Sequence, residues 1–249
     1  LASRGREVTL VERRTGFSEL GAGLQLSPNA SRLLSEIGLG PALRRIAVEP
    51  ERIVVRSVSN GREIGGFGLK PTMRERFGAP YCVVQRAELH TALLDAVRAR
   101  PTVRLLVGRK AMRAVTASDH AVLTVETESG SREELRGLAV IGADGVRSVL
   151  RRSLDDHRLP MFRGSVAWRA TMPLDRAPLE LQGVETGLWL GRDGHVVHYP
   201  IAGGRLVNLV VVRRAREPVE GWSAPGDPAE IRSSFAGAAP ALRQLIEAP

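Results

Sequence analysis

The sequence predicts an α/β fold, α+β overall, in which a part built on a parallel sheet is joined to a mostly antiparallel sheet. Three observations predict it. Short apolar runs, Val8-Thr9-Leu10-Val11 and Leu138-Ala139-Val140-Ile141, lead into acidic turn residues, Glu12 and Asp144; such runs suit strands buried in a parallel sheet. Between them, apolar residues recur at helical spacing, as in Ala30, Leu33, Leu34 and Ile37. Beyond residue 155, apolar segments alternate with the turn pairs Asp193-Gly194 and Gly203-Gly204, the pattern of antiparallel hairpins.

The elements follow in order. Leu1–Arg4 with Gly5 reads as a helix end with a glycine cap, and Val8–Val11 as the first strand. Gly21-Ala22-Gly23 is a small-residue stretch that permits close backbone approach. Ser27 and Pro28 suit an N-cap and first helical position, and Gly38 ends that helix. Ile53–Val58 and Ile64–Leu69 flank Asn60-Gly61, a hairpin signal. Tyr81–Val84 is a strand, and Gln85-Arg86 opens a helix that buries Leu89, Leu93, Ala96 and Val97 and stops at Pro101. Val103–Val107 and Ala121–Thr127 are further strands. Leu138–Ile141 is expected as a buried parallel strand, and Val146–Leu154 as a short helix. Arg163–Met172, Leu188–Leu190, His195–Tyr199 and Leu206–Arg213 are expected as antiparallel strands, Gly221–Pro228 as a loop, and helices begin at Pro228 and Pro240.

Composition narrows the function. With 249 residues the chain can bury a core, and one cysteine, Cys82, excludes an internal disulfide and a cysteine-rich zinc site. The longest apolar run, near Leu206–Val212, is too short to cross a membrane and holds Asn208. No signal segment is present, so a cytoplasmic location is expected. The formal charge is +9, from 36 basic and 27 acidic side chains. Only Lys70 and Lys110 are lysines, the arginines are scattered, and no aromatic-flanked basic stripe appears, so no nucleic-acid partner is expected. The five histidines lack metal-ligand spacing, and no nucleophile elbow or phosphate loop occurs; no metal is expected.

Taken singly, the candidate residues allow two readings. An acidic residue ending the second strand of a dinucleotide-binding unit bonds the ribose, about 20 residues beyond a glycine-rich loop; counting back from Glu12 runs off the chain, and Glu12 also fits a solvated strand end. Arg86 could hold a phosphate or simply start a helix, and Asp144 could serve a ligand or form a turn. His195, Val197 and Tyr199 share one face of a strand, with His198 on the other; this is either a polar lining or an ordinary half-buried strand.

Four blocks in order, Val8-Thr9-Leu10-Val11-Glu12-Arg13, Gly21-Ala22-Gly23 through Pro28-Asn29-Ala30, Gln85-Arg86-Ala87-Glu88-Leu89 and Gly142-Ala143-Asp144-Gly145-Val146-Arg147-Ser148, together with His195 through Gly204, carry a resemblance. The chain resembles the FAD-dependent aromatic-ring hydroxylases, single-component flavoprotein monooxygenases such as salicylate and hydroxybenzoate hydroxylases. The resemblance covers nearly the whole chain, as an internal fragment without the family's N-terminal Gly-x-Gly-x-x-Gly loop and C-terminal Gly-Asp block. It implies a partial Rossmann-like FAD-binding domain (1–50 and 81–154) and a substrate-binding sheet domain (51–80 and 155–249). It implies cofactor contacts at Glu12, Arg13, Arg86, Met112, Asp144 and Gly145, and catalytic roles for His195, as acceptor or relay of a phenolic proton, and Tyr199, as its orienting partner. The implied cofactors are FAD and NAD(P)H and the partners a small aromatic substrate and dioxygen; a homodimer is compatible with it. The implied activity is hydroxylation of a phenol or aromatic carboxylate through a flavin hydroperoxide. The alternatives are a flavoprotein epoxidase, halogenase or reductase, or a truncated, non-catalytic remnant that binds FAD poorly; the fragment alone is expected to be inactive.

Overall fold

The computed structural model describes residues 1–17, 22–154, 158–219, 221 and 224–249. Gly21, and part of the loop expected over Gly221–Pro228, lie outside the described residues. In chain order the strands are β1 (Val8–Val11), β2 (Gly23–Leu26), β3 (Arg52–Ser57), β4 (Glu63–Gly68), β5 (Cys82–Gln85), β6 (Val103–Leu106), β7 (Arg109–Thr116), β8 (Ala121–Thr127), β9 (Arg132–Gly137), β10 (Ser165–Pro173), β11 (Glu185–Leu190), β12 (Gly194–Ile201) and β13 (Leu206–Arg214). The helices are α1 (Pro28–Leu34), α2 (Gly40–Ile46), α3 (Thr72–Phe77), α4 (Arg86–Arg98), α5 (Pro228–Ser234) and α6 (Pro240–Glu247). The fold is the mixed α/β one expected, with a parallel pair and antiparallel sheets.

The chain divides into two compact units, one of residues Leu1–Ser18 with Val97–Met161, the other of Glu19–Ala96 with Phe162–Pro249. Residues 22–50 and 81–96, expected with the cofactor part, therefore cluster with the large sheet.

In the first unit, β1 and β6 pair in parallel, Val8 opposite Val103, and β7, β8 and β9 form an antiparallel meander. The run Leu138–Ile141, expected as a buried parallel strand, is irregular instead, with Leu138 86% and Ile141 71% exposed. No strand among the described residues pairs with it, so the apolar run has no sheet in which to be buried. The helix expected over Val146–Leu154 is reduced to one 3₁₀ turn, Leu150–Leu154.

In the second unit a six-stranded sheet runs β10-β13-β12-β11-β3-β4. It is antiparallel except where β11 lies parallel to β3. The hairpin β3–β4 turns through Asn60-Gly61, where Gly61 has φ +74° and the Asn60 carboxamide accepts the Arg62 N–H at 3.0 Å. Gly38 (φ +97°) leaves helical geometry and breaks the helical stretch that begins at Pro28, as expected, and α2 follows from Gly40. Strand alternation divides the sheet into two faces. One, with Trp189, Val196, Leu209 and Val211, is sealed by Ile231 and Phe235 around α5 and by Leu242 and Leu245 of α6. The other carries His195, Val197 and Tyr199, and there Tyr199 and Ile201 cluster with Val83 of β5. Among the described residues no helix is long and apolar enough to cross a membrane.

Candidate functional site

The first unit holds Glu12, Arg13, Met112, Asp144 and Gly145. Glu12 follows β1, where its N–H donates to the Leu106 carbonyl at 2.8 Å and its carbonyl accepts the Arg109 N–H at 3.0 Å. The half-buried side chain takes the Arg14 N–H on Oε1 at 2.8 Å, and Oε2 has no partner among the described residues. A carboxylate with one oxygen to spare can accept from a diol hydroxyl. Arg13 is exposed. Met112 is the extra residue of a β-bulge: Ala111 pairs with Val125 and Arg113 with Thr124, leaving Met112 without an opposite number. The cofactor contact that the resemblance implies at Met112 thus falls on a residue whose backbone lies outside the ladder.

Asp144 is turned onto its own loop. Its carboxylate accepts from the Ser148 hydroxyl at 2.6 Å and from the N–H groups of Val149 and Leu150 at 2.8 and 3.2 Å. Partial burial works to raise its pKa, but these hydrogen bonds outweigh it and hold the carboxyl below its ordinary value. Gly145 sits at φ +82°, which a residue with a Cβ adopts only at a cost.

The second unit holds Arg86, His195 and Tyr199. Arg86 begins α4 directly after β5, and its N–H donates to the Ala22 carbonyl at 2.8 Å. Next to Ala22, Gly23 begins β2 opposite Gln85, and its N–H donates to Asn208 Oδ1 at 2.7 Å. A Cβ on Gly23 would stand 2.6 Å from Tyr199 Cε2, 2.9 Å from Tyr199 Oη and 2.8 Å from Asn208 Cγ. The second glycine of the small-residue stretch thus lies in a strand and gives close backbone approach to the phenol of Tyr199.

His195 is half-buried on β12, opposite Leu190 and Val212. Tyr199 is buried, and burial, helped by Tyr81, pushes its pKa up to about 12 against the opposing pull of Arg169 and a hydrogen bond with Gln25. Gln25 also accepts from the Tyr81 hydroxyl at 2.7 Å. Tyr199 therefore keeps its proton at neutral pH and acts as a hydrogen-bonding phenol, not a base. His198 points the other way, as alternation requires, and lies fully buried near Trp189 with ring centroids 6.4 Å apart. Burial, with the Arg56 charge, drives its pKa down to about 3. A cleft of about 990 Å³ runs along edge strand β10; Arg169 and Asn208 line it, whereas His195 and Tyr199 do not. Cys82 is buried, which pushes its thiol up to about 11 and removes it as a nucleophile.

Sequence reasoning missed Gln25, Tyr81 and Asn208 as members of this cluster. Only Asn208 left a signal, as a carboxamide inside an otherwise apolar strand.

Over residues 1–239 the sequence matches a family described as an FAD binding domain. The chain belongs to this family. A relative is 3-hydroxybenzoate 6-hydroxylase of Polaromonas naphthalenivorans (strain CJ2), to which this chain is 34% identical over 251 residues, covering 100% of this chain and 61% of that protein. A second relative is 3-amino-4-hydroxybenzoate 2-monooxygenase PtnB3 of Streptomyces platensis, 38% identical with the same coverage, 100% and 61%. The chain thus spans about three fifths of the length of these relatives. Among solved structures, Klebsiella pneumoniae HpxO complexed with FAD and uric acid superposes with TM-score 0.75 at 23% identity, over 97% of this chain and 64% of that one. A salicylate hydroxylase substrate complex superposes with TM-score 0.75 at 18% identity, over 98% and 66%. These likenesses show that the chain has the fold of flavin monooxygenases.

Proposed function

We propose that the full-length protein carrying this chain uses FAD and NAD(P)H to hydroxylate a phenol or aromatic carboxylate with dioxygen. The observation that carries this reading is the pair His195 and Tyr199 on the sheet face away from α5 and α6, with the Tyr199 phenol against the backbone that meets Arg86. The named activities of the hydroxybenzoate relatives support it.

Within each unit, the residues present suit a part of the cofactor. Glu12, with a spare carboxylate oxygen, would take the ribose hydroxyls, and Arg13 would lie near the adenine. The bulged Met112 offers backbone groups outside the ladder. Arg86 would face the phosphates, to which a guanidinium can donate two parallel hydrogen bonds. Asp144 would shape its loop through its own hydrogen bonds, so that the contact at Gly145 is one of backbone. When bound, FAD supplies the electron transfer from NAD(P)H and the activation of dioxygen.

The chain's own residues handle the phenol. His195 would draw the phenolic proton onto its imidazole and so enrich the ring in electrons. Tyr199, protonated throughout the physiological range, would orient the phenol or its carboxylate by hydrogen bonding. The test is phenol-dependent NAD(P)H oxidation by the full-length, FAD-loaded protein across a panel of phenolic acids, with product mass read in parallel. A gain of one oxygen is expected. Oxidation that no phenolic acid stimulates, with FAD bound, overturns the reading; a product of other mass assigns it to a related flavoprotein reaction.

A further inference from the structure

We infer that Asn208 is a positioning residue, tying the Ala22–Gly23 segment, and through it the start of α4, to the strands that carry Tyr199. The inference rests on the substrate role proposed for Tyr199. Asn208 has no exposed surface and lies in β13 between the buried Val207 and Leu209. A carboxamide in such a place costs stability unless it is hydrogen-bonded. Only half of this one is: Oδ1 accepts the Gly23 N–H at 2.7 Å, while Nδ2 is buried without a partner. A leucine, which has the same branching, would spare the orphaned Nδ2 but would leave the Gly23 N–H without its acceptor. Packing alone therefore gives no reason for asparagine here, whereas the bond to Gly23 does.

That bond has consequences on both sides. Asn208 stands opposite Tyr199 in the β12–β13 register, so the amide that holds Gly23 is the neighbour of the phenol that Gly23 touches. On the other side, the Ala22 carbonyl accepts the Arg86 N–H at 2.8 Å. Two hydrogen bonds thus run from β13 through Gly23 and Ala22 to the first residue of α4. They fix the spacing between the proposed phenol contact, Tyr199, and the proposed phosphate contact, Arg86. Gly23 can sit in this tie because it has no side chain: the space a Cβ needs is filled by Tyr199 and Asn208.

The experiment compares Asn208→Leu, Asn208→Asp and Tyr199→Phe in the full-length, FAD-loaded protein. Its readouts are amide hydrogen exchange at Gly23, KM for the best phenolic substrate, product formed per NAD(P)H consumed, and thermal midpoint. Asn208→Leu is expected to speed Gly23 exchange by about tenfold or more, raising KM and diverting NAD(P)H oxidation to hydrogen peroxide. Asn208→Asp retains the acceptor and is expected to restore Gly23 protection and coupling. Wild-type Gly23 protection and coupling in Asn208→Leu overturn the inference, as does lost protection in Asn208→Asp. Should Asn208→Leu not fold, Asn208→Ser, too short to reach Gly23, takes its place under the same criteria. An unchanged phenol KM in Tyr199→Phe would instead overturn the substrate role of Tyr199, so the two failures are distinguishable.

Discussion

Gly23 and Tyr199 compete for one volume, and that makes Gly23→Ala a severe change for a single methyl group. The new carbon would stand 2.6 Å from the Tyr199 ring and 2.8 Å from Asn208, both buried and unable to retreat into solvent. The expected loss is about 1–3 kcal/mol of unfolding free energy, as for other overpacked sites, read from urea titration. His198 offers a test of pH dependence. Folded, it takes up a proton only near pH 3; an unfolded histidine does so near its ordinary 6.5. Between those values the unfolded state binds more protons, so stability falls as pH falls, by up to ~1.4 kcal/mol per pH unit. His198→Asn should flatten that slope whatever its effect on stability at pH 7. A plot of stability against pH from 7 to 4 checks it, and an unchanged slope would refute the assignment. Alternation along the strand was enough to separate His198 from His195. That His198 would be wholly buried was not legible, because burial depends on Trp189 from the neighbouring strand.

Elements with a local cause were legible, and elements that need a distant partner were not. The β3–β4 hairpin follows from Asn60-Gly61, since the carboxamide and the left-handed glycine act within four residues of chain. The same holds for α5, where Asp227 caps the helix by accepting the Ala229 N–H at 2.9 Å. The run Leu138–Ile141 has the composition of a buried strand, but composition does not provide a ladder, and no described strand lies beside it. The Met112 bulge was invisible for a similar reason: an unpaired residue is defined by the two strands' register. The Asp144 loop gives the prediction that belongs at this scale. Asp144→Ala removes the acceptor for Ser148, Val149 and Leu150 together, so amide exchange at Val149 and Leu150 should accelerate while β7–β9 keep their protection. In the unaltered protein these bonds hold above the ordinary carboxylate range, where Asp144 is ionised, and weaken as pH falls through its lowered pKa. Equal exchange in the two proteins at pH 7 would show that the carboxylate does not organise the loop.

At the scale of the large sheet, stability and the proposed chemistry lie on opposite faces. The face under α5 and α6 contains the largest cluster of buried apolar residues, and Leu242 and Leu245 of α6 have no exposed surface. The other face carries His195 and Tyr199 and meets β2 and β5. Alternation makes this division unavoidable: the strand that turns Val196 and His198 towards the helices must turn His195, Val197 and Tyr199 away. A core substitution beneath α6 should therefore cost stability without touching the phenol site. Leu242→Ala is expected to lower unfolding free energy by about 2–5 kcal/mol, the range for a large buried aliphatic cut to a methyl. In the full-length protein, at a temperature where the variant stays folded, KM for the phenolic substrate and product formed per NAD(P)H should match the parent, whereas Tyr199→Phe should raise KM with little change in denaturation midpoint. Denaturant titration and steady-state assays on the two variants give the comparison. If Leu242→Ala shifts KM as far as Tyr199→Phe does, the two faces are mechanically coupled through the sheet, and the separation argued from alternation is wrong.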